Sequence, residues 1–342
     1  MAAYTTIDNP ELYFQVKIYT GDGNDNRAIT FDGDEDMQPN WLWFKNRGAA
    51  AWHNIYDSVR GANKALASNA NNTEESRSDT LDSFDSNGFT VGNDTSQDPD
   101  GYNTNASSNT YVCWAWKESA DAGMDIVSYT GNATNRTISH SLSAVPHWMV
   151  VKNRDSAVNW TVYHHKNTSA PETDRLLLNT TDATGDSDAE WNDTAPTSSV
   201  FSVGTGDSPN KSGDAIIAYL WTEKQGFSKF GTYTGNGNAD GAFIYTGFRP
   251  ACVIMKCSSD NATPWLIWDN KRPGYNLTNL RLRPSAANAE DTSTADPIDI
   301  LSNGFKCRGT NDDSNKDGST FIYMAFAEAP FVNSNGVPCN AR

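Results

Sequence analysis

Three glutamates are the first residues in this sequence that could act together chemically, because they recur at one spacing. Glu118, Glu223 and Glu328 stand 105 residues apart both times (223−118 and 328−223). A pair of carboxyl groups at a suitable separation is enough for glycoside hydrolysis. Each glutamate, however, closes the same kind of apolar run, so a repeated scaffold explains the spacing without a reaction. We expect all three at strand ends, facing solvent or a contact between repeats, with a glycan hydrolase as the less favoured alternative.

The histidines offer little for catalysis or metal binding. The five are His53, His140, His147, His164 and His165. His164 and His165 are adjacent, and neighbouring residues of a strand point to opposite faces, so we do not expect that pair to share a metal ion. The sequence also has no Gly-x-Ser-x-Gly nucleophile motif and no phosphate-binding loop. We therefore predict no catalytic residues and no cofactor.

Two further features are weak candidates for ligand binding. Asp32, Asp34 and Asp36 alternate as the ligands of a calcium loop do, but the segment lacks the central glycine and the distal glutamate of an EF-hand. We favour a charged hairpin tip there, with weak calcium binding as the alternative. Trp191 has no counterpart in the repeats and is our candidate for an exposed ligand contact. Most other tryptophans occupy equivalent strand positions, which indicates core packing rather than sugar stacking.

An internal repeat organises all of these residues. Two further sequence patterns recur together with the apolar runs that end in the glutamates. One is a Tyr-Thr-Gly triplet, and the other is a strand-like run in which a lysine follows a proline by six residues. These patterns occupy residues 19–21, 129–131 and 233–235, and residues 39–45, 146–152 and 250–256. Short apolar or alternating runs, separated by Gly/Asn/Asp clusters, are typical of strands joined by tight turns. The Lys-Asn-Arg that ends two of the proline runs is interpreted as a strand-end turn.

These patterns predict an all-β protein of three tandem antiparallel β-sandwich modules, similar to jelly rolls. The predicted parts are an N-terminal arm (1–15), module 1 (16–122), module 2 (123–225), module 3 (226–328) and a C-terminal tail (329–342). The linkers are very short, so we expect neighbouring modules to touch. We also expect the arm to pack against another module or another chain.

Charge and cysteine usage restrict the classes of partner and compartment. The formal net charge of −16 repels polyphosphates and anionic lipid surfaces, so neither nucleic acid nor membrane is an expected partner. The number of cysteines, five, is odd, and their positions do not follow the repeat. This predicts free thiols in a protein that is made in a reducing compartment. The start has no basic flank with an apolar core, and no apolar run approaches the length of a membrane span.

The sequence resembles a family of virion-associated proteins of marine tailed phages, such as those that infect cyanobacteria, which carry a repeated domain of unknown function. The strings that carry the resemblance occupy residues 4–8, 85–91, 115–118, 128–132, 224–241 and 335–342. The similarity runs from Ala3 to Arg342, and the Gly-Phe-Ser-Lys-Phe-Gly string and the C-terminal string are specific. The resemblance supplies no catalytic residues.

What the resemblance implies is a structural protein of the virion, fibre-like or a decoration component, made in the host cytoplasm and displayed on the particle exterior. The implied partners are other virion proteins, through a homo-oligomer or a symmetric platform, and host-surface polysaccharide. A carbohydrate-binding adhesin array outside any virion is the alternative, and the glycan hydrolase remains the less favoured one.

Overall fold

The computed structural model describes residues 4–93, 101–292 and 294–339. We call residues 16–122, 123–225 and 226–328 the first, second and third copies of the repeat. Antiparallel strands dominate every copy, as the aromatic and β-branched runs of the sequence require, so the all-β prediction is confirmed. Residues 1–3 of the arm and 340–342 of the tail lie outside the described residues.

The first copy contains nine strands. They are β1 (Phe14–Thr20), β2 (Arg27–Thr30), β3 (Trp41–Asn46), β4 (His53–Asp57), β5 (Lys64–Ala67), β6 (Glu75–Ser76), β7 (Leu81–Asp85), β8 (Gly88–Val91) and β9 (Thr110–Trp116). The second copy contains β10 (Met124–Thr130), β11 (Arg136–Ser139), β12 (Trp148–Asn153), β13 (Thr161–His164), β14 (Asp174–Leu177), β15 (Gly185–Asp186), β16 (Val200–Val203) and β17 (Ala215–Trp221).

The third copy contains β18 (Ser228–Thr234), β19 (Phe243–Tyr245), β20 (Phe248–Cys257), β21 (Leu266–Asp269), β22 (Leu280–Arg281), β23 (Asp291–Thr292), β24 (Ile298–Leu301), β25 (Gly304–Cys307) and β26 (Thr320–Pro330). Helices in the described ranges are single turns: α1 (Asp188–Trp191), α2 (Asp207–Asn210), α3 (Asp312–Asn315), and 3-10 turns at Pro10–Leu12 and Pro171–Thr173. No helix there is both long and apolar enough to cross a membrane.

The order of four strands in the large sheet recurs in each copy, and in the third copy β22 and β23 form a separate two-stranded sheet. The large sheets have the orders β1-β9-β3-β4-β5-β6, β10-β17-β12-β13-β14-β15 and β18-β26-β20-β21, and each copy has a small sheet, β2-β8-β7, β11-β16 or β19-β25-β24. The first strand of a copy pairs with its last strand, as in the register Tyr19↔Tyr111. Both ends of a copy therefore lie side by side, which allows the next copy to begin after a short turn.

Two predicted hairpins are absent because neighbouring strands belong to different sheets. β1 and β3 lie in the large sheet of the first copy, whereas β2 lies in the small sheet. The Gly-rich segment after Tyr19 and the acidic segment Asp32–Asp36 are therefore connections between sheets rather than hairpin tips. The hairpin interpretation of Asp32, Asp34 and Asp36 was wrong, since local turn chemistry does not reveal which strand the chain pairs with next.

The large sheets are covered on both faces. In the first and second copies one face packs under the small sheet, around cores that include Phe44 with Phe89 and Val151 with Phe201. The other faces meet in one apolar core that contains residues of all three copies, such as Trp116, Trp221 and Phe326. This shared core explains why β3 and β12 are buried along their whole length.

The contacts between copies follow a closed order. A backbone N–H in the region of the sixth strand of one copy donates to the carbonyl that follows the third strand of the next. These bonds are Glu74 N to Arg154 O (2.8 Å), Thr184 N to Ser258 O (2.9 Å) and Glu290 N to Arg47 O (2.8 Å). The first copy thus contacts the second, the second the third, and the third the first.

The arm packs against the third copy and the tail. Tyr4 Oη donates to Gly247 O at 2.8 Å, and Ser334 N donates to Asp8 Oδ1 at 2.6 Å. Phe14 stacks on Phe326 with 5.3 Å between ring centroids. The expectation that the arm contacts another part of the chain is confirmed for its described residues.

All five cysteines are free, as their irregular placement predicted. Cys113, Cys252, Cys257 and Cys307 are buried and Cys339 is half-buried. The thiols in the core act as small apolar groups, and burial raises the pKa of Cys307 to about 11, so it stays protonated.

Candidate functional site

The three repeated glutamates lie at equivalent positions beside the junctions between copies. Glu118 Oε1 accepts from Ile126 N at 3.1 Å, and Glu223 Oε1 accepts from Lys229 Nζ at 2.5 Å. Both donors belong to the first strand of the following copy, so the predicted contact between repeats is confirmed there. Glu328 instead pairs with Arg249 of its own copy.

Glu118 has a neighbour that changes its protonation. Burial raises the pKa of Glu118 to about 7, and the hydrogen bond and charge of Asp125 act in the same direction. Asp125 also accepts from Ser141 N at 2.5 Å. Carboxyl groups of glycosidases lie roughly 5–9.5 Å apart, whereas hydrogen-bonded carboxyls are closer than that. The pair is therefore suited to holding two copies together rather than to hydrolysis.

A groove beside Glu328 is the best candidate for ligand binding. Its volume is about 470 Å³, and it lies between the start of β20, the end of β26 and the loop that follows β21. The residues that line it are Arg249, Asn270, Lys271, Gly274, Tyr275, Asn276 and Glu328. Apart from Gly274 all of them carry polar groups, and one is aromatic.

Tyr275 is the most exposed of the large apolar or aromatic side chains in the described part of the chain, at 87%. Both polar atoms of the Asn276 side chain anchor the loop that carries Tyr275. Asn276 Nδ2 donates to Ile300 O and its Oδ1 accepts from Ile300 N, both at 2.9 Å. This anchoring holds the Tyr275 ring beside the groove, where it is available for stacking.

The polar groups of the groove complement the ring. The Arg249 guanidinium contacts the Glu328 carboxylate, and both line the cavity. The Asn270 side chain also lines the cavity. An exposed ring with convergent carboxylate, amide and guanidinium groups can bind a polyhydroxylated ligand, stacking its C–H face and pairing its hydroxyls.

Trp191 is not an exposed contact, and that hypothesis was wrong. It ends α1 and is only 1% exposed. Its ring packs edge-on against Tyr163, with centroids 5.9 Å apart, in the core that includes Phe201. The loop that the sequence indicated folds inward because the indole fills space between the two sheets of the second copy.

The alternating aspartates do not form a ligand cluster. Asp32 Oδ1 accepts from Lys17 Nζ at 2.6 Å. Within the described ranges, a possible metal-binding group is formed instead by His147, His165 and Glu223. Their ligand atoms all lie within 4.8 Å of one another. The geometry therefore gives no support to calcium binding by Asp32, Asp34 and Asp36.

The histidine cluster was missed because its members are distant in sequence. His165 N donates to His147 O at 2.9 Å, which places the residues opposite each other beside β13 and β12. Their ring centroids are 4.1 Å apart. His164 has a different partner, Tyr323 O at 3.2 Å, so the argument against joint ligation by His164 and His165 stands. The register of this strand pair was the signal that could have revealed the cluster.

Three buried lysines were also missed as a set. Lys45, Lys152 and Lys256 end the proline runs of the repeat and have no exposed surface. Each Nζ donates to backbone carbonyls, for example Lys45 to Ala49 O at 2.9 Å and Lys256 to Thr263 O at 2.7 Å. Burial lowers the pKa of Lys45 and Lys152 to about 7 and that of Lys256 to about 8. Their role is to satisfy loop carbonyls that are buried beside the junctions.

Comparison with known proteins gives one family. The family model described as a domain of unknown function, DUF7483, matches residues 9–330. The search of curated proteins found no match.

Proposed function

The chain belongs to the DUF7483 family, and we propose that it is a non-enzymatic structural protein of a tailed-phage virion. In this proposal three jelly-roll-like β-sandwich modules form a fibre-like or decoration component on the particle exterior. The Tyr275 groove contacts glycans of the host surface. The partners are other virion proteins, and the chain is a homo-oligomer or is attached to a symmetric platform.

The groove carries the contact function. Tyr275 is 87% exposed beside a cavity of about 470 Å³ lined by Arg249, Asn270 and Glu328. Polar groups that converge around the ring favour a sugar over an apolar ligand.

The closed order of the copies supports the proposed role as a structural protein of the virion. Each copy buries apolar surface against the other two, so unfolding one copy exposes the faces of two others. Cooperative burial of this kind suits a protein that has to persist outside the cell. The sequence resemblance to virion proteins of marine phages points the same way.

Binding to glycans is tested with Tyr275→Ala and purified host-surface polysaccharide. We expect affinity to fall roughly fivefold, since aromatic stacking contributes about 1 kcal/mol beyond burial. Tyr245→Ala is the matched control, because Tyr245 is also exposed, at 53%, but lies outside the groove. Equal affinity of the two variants and the unchanged chain would remove the groove from the proposal.

The virion assignment needs a separate experiment. Mass spectrometry of purified particles should detect the chain at a fixed copy number, and antibody labelling should place it on the exterior. If the chain binds glycan but is absent from particles, the adhesin array outside a virion becomes the better assignment. The groove supports both possibilities equally.

A hydrolase is disfavoured by the composition of the groove. Of the described residues that line it, Glu328 is the carboxylate, whereas glycosidases use two. An assay for reducing ends released from host polysaccharide, with Glu328→Gln as the comparison, tests this alternative. Release that depends on Glu328 would overturn the non-enzymatic proposal.

A further inference from the structure

We propose that His147, His165 and Glu223 form a binding site for one divalent transition-metal ion such as Zn²⁺. The ligand atoms of the three side chains lie within 4.8 Å of one another, and all three residues are half-buried. Two imidazoles and one carboxylate are a donor set that Zn²⁺ takes readily. The site lies where the second copy meets the third, away from the Tyr275 groove.

The strands bring the two imidazoles together without metal. His165 N donates to His147 O at 2.9 Å, and the ring centroids are 4.1 Å apart. Ligands bound about 2.1 Å from one ion lie roughly 3–4 Å from each other, so small side-chain rotations suffice to close the site. Because strand pairing already holds the two rings together, metal binding does not require the conformational entropy loss of bringing them into proximity.

The hydrogen bond of His165 leaves one ring-nitrogen lone pair for the ion. His165 Nε2 lies 2.8 Å from Phe230 O, to which it donates, and Nδ1 therefore keeps its lone pair. A carbonyl that accepts from the second ring nitrogen is the usual way to orient a metal-binding histidine.

His147 and Glu223 each exchange a partner on binding. His147 Nδ1 accepts from Glu223 N at 2.9 Å, and an ion at Nδ1 displaces this amide, which then binds water at the half-exposed site. The Glu223 carboxylate pairs with Lys229 at 2.5 Å, and the Lys229 side chain is 36% exposed. The ion replaces the ammonium group as the counter-charge, and Lys229 moves into solvent.

The other copies show what these positions do without histidine. Paired positions in the first copy hold Asn40 and Ser58, which hydrogen-bond to each other at 3.0 Å. Asn40 Oδ1 accepts from Glu118 N at 2.9 Å, just as His147 accepts from Glu223 N. Asparagine and serine therefore fit the same backbone, so the double variant His147→Asn/His165→Ser should fold.

The test is calorimetric titration of the full-length chain, free of any affinity tag, with Zn²⁺ at pH 7.5. We expect one ion per chain, and Co²⁺ in place of Zn²⁺ should give visible absorption bands. The double variant should lose this site, and Glu223→Gln should bind at least tenfold more weakly. His140→Gln is the control, because His140 lies elsewhere and contacts Thr197 O at 3.1 Å.

Two results would overturn the site. One is the lack of saturable binding at one equivalent by the unchanged chain. The other is equal binding by a double variant whose circular dichroism and unfolding transition show that it is folded. Neither result bears on glycan binding, since the groove belongs to other residues.

Discussion

At one set of matched positions, two of the junctions between copies are ionic, whereas the third is neutral. Where the first copy meets the second, the buried Asp57 carboxylate contacts Arg60 and accepts from Tyr219 Oη at 2.6 Å. Arg60 also contacts Glu74, and Glu74 pairs with Arg154 of the second copy through two hydrogen bonds of 2.8 Å. The result is a chain of alternating charges that crosses the junction.

The junction between the third copy and the first repeats this arrangement. Asp269 accepts from Arg272 Nε at 2.6 Å and from Trp114 Nε1 at 3.0 Å. Arg272 contacts Glu290, and Glu290 pairs with Arg47 of the first copy at 2.8 and 3.0 Å. Only the donor to the aspartate differs, an indole instead of a phenol.

The junction between the second copy and the third carries no charge at these positions. His164 replaces the aspartate, Asn167 the first arginine, and Thr184 the glutamate. His164 Nε2 donates to Tyr323 O at 3.2 Å, while Thr184 Oγ1 lies 2.8 Å from Asn167 Oδ1 and 2.9 Å from Ser258 O. The backbone bond from Thr184 to Ser258 is kept.

The difference shows that the backbone arrangement does not depend on one chemistry. A fully satisfied ionic chain and a fully satisfied neutral one both close a junction. What neither tolerates is the loss of one member, because a buried polar group is then left without a partner. The two kinds of junction should therefore differ in response to mutation and pH.

The largest effect is expected for Arg60→Met in the ionic junction. The substitution keeps most of the volume but leaves Asp57 without its guanidinium partner. Breaking a buried pair in this way costs about 3–5 kcal/mol of unfolding free energy. Asn167→Met, at the matched position of the neutral junction, should cost only about 1 kcal/mol. Denaturant unfolding of both variants measures this, and equal losses would contradict the distinction.

Acidification should weaken the neutral junction through His164 at a higher pH than it affects the carboxylates of the ionic junctions. Burial and the neighbouring His165 lower the pKa of His164 to about 3, whereas an unfolded histidine titrates near 6.5. Between these values the unfolded chain binds the extra proton, so stability falls as pH falls. The contribution of His164 is about 2 kcal/mol between pH 6.5 and 5.

The carboxylates of the ionic junctions respond only at lower pH. Burial opposes the charge of Glu74 and Glu290, but their arginine partners prevail and lower the pKa of both carboxyls. Their contribution is present above the unfolded pKa near 4.5 and is lost as pH falls through the folded value. His164→Gln should therefore flatten the loss of stability between pH 6.5 and 5, measured by denaturant titration at each pH. An unchanged slope would show that other groups cause the loss.

The smallest effect is expected for Thr184→Val. The shape is kept, but the hydroxyl bond to Asn167 Oδ1 is lost, which should cost about 1 kcal/mol. Thr181→Val, on an exposed neighbouring residue, is the control and should change stability by less than about 0.5 kcal/mol. Equal values for the two variants would mean that the half-buried Thr184 hydroxyl contributes nothing to this junction.

Much of the local structure was predictable from the sequence. The strand predicted beside each repeated glutamate forms at 110–116, 215–221 and 320–330, because aromatic and β-branched runs suit a buried strand. Trp116, Trp148 and Trp221 are buried as their repeat positions indicated. The irregular cysteines are free. Each of these properties depends on composition and short-range pattern.

The candidate sites were less predictable, for a common reason. Asp32, Asp34 and Asp36 are close in sequence but do not assemble, whereas His147, His165 and Glu223 are distant and do. Trp191 was assigned to an exposed loop and lies in a core. Ligand clusters depend on which strands pair and in which register, and local pattern does not contain this information.

The sequence by itself determined the elements and the number of copies, because repeat spacing and the alternation of apolar residues are properties of the chain alone. Only the tertiary structure decided that the copies meet in a closed order, and which face of each large sheet another copy covers. Alternation shows which side chains share a face of a strand. The partner of that face is chosen by the packing of residues more than a hundred positions apart, such as Trp114 on Asp269.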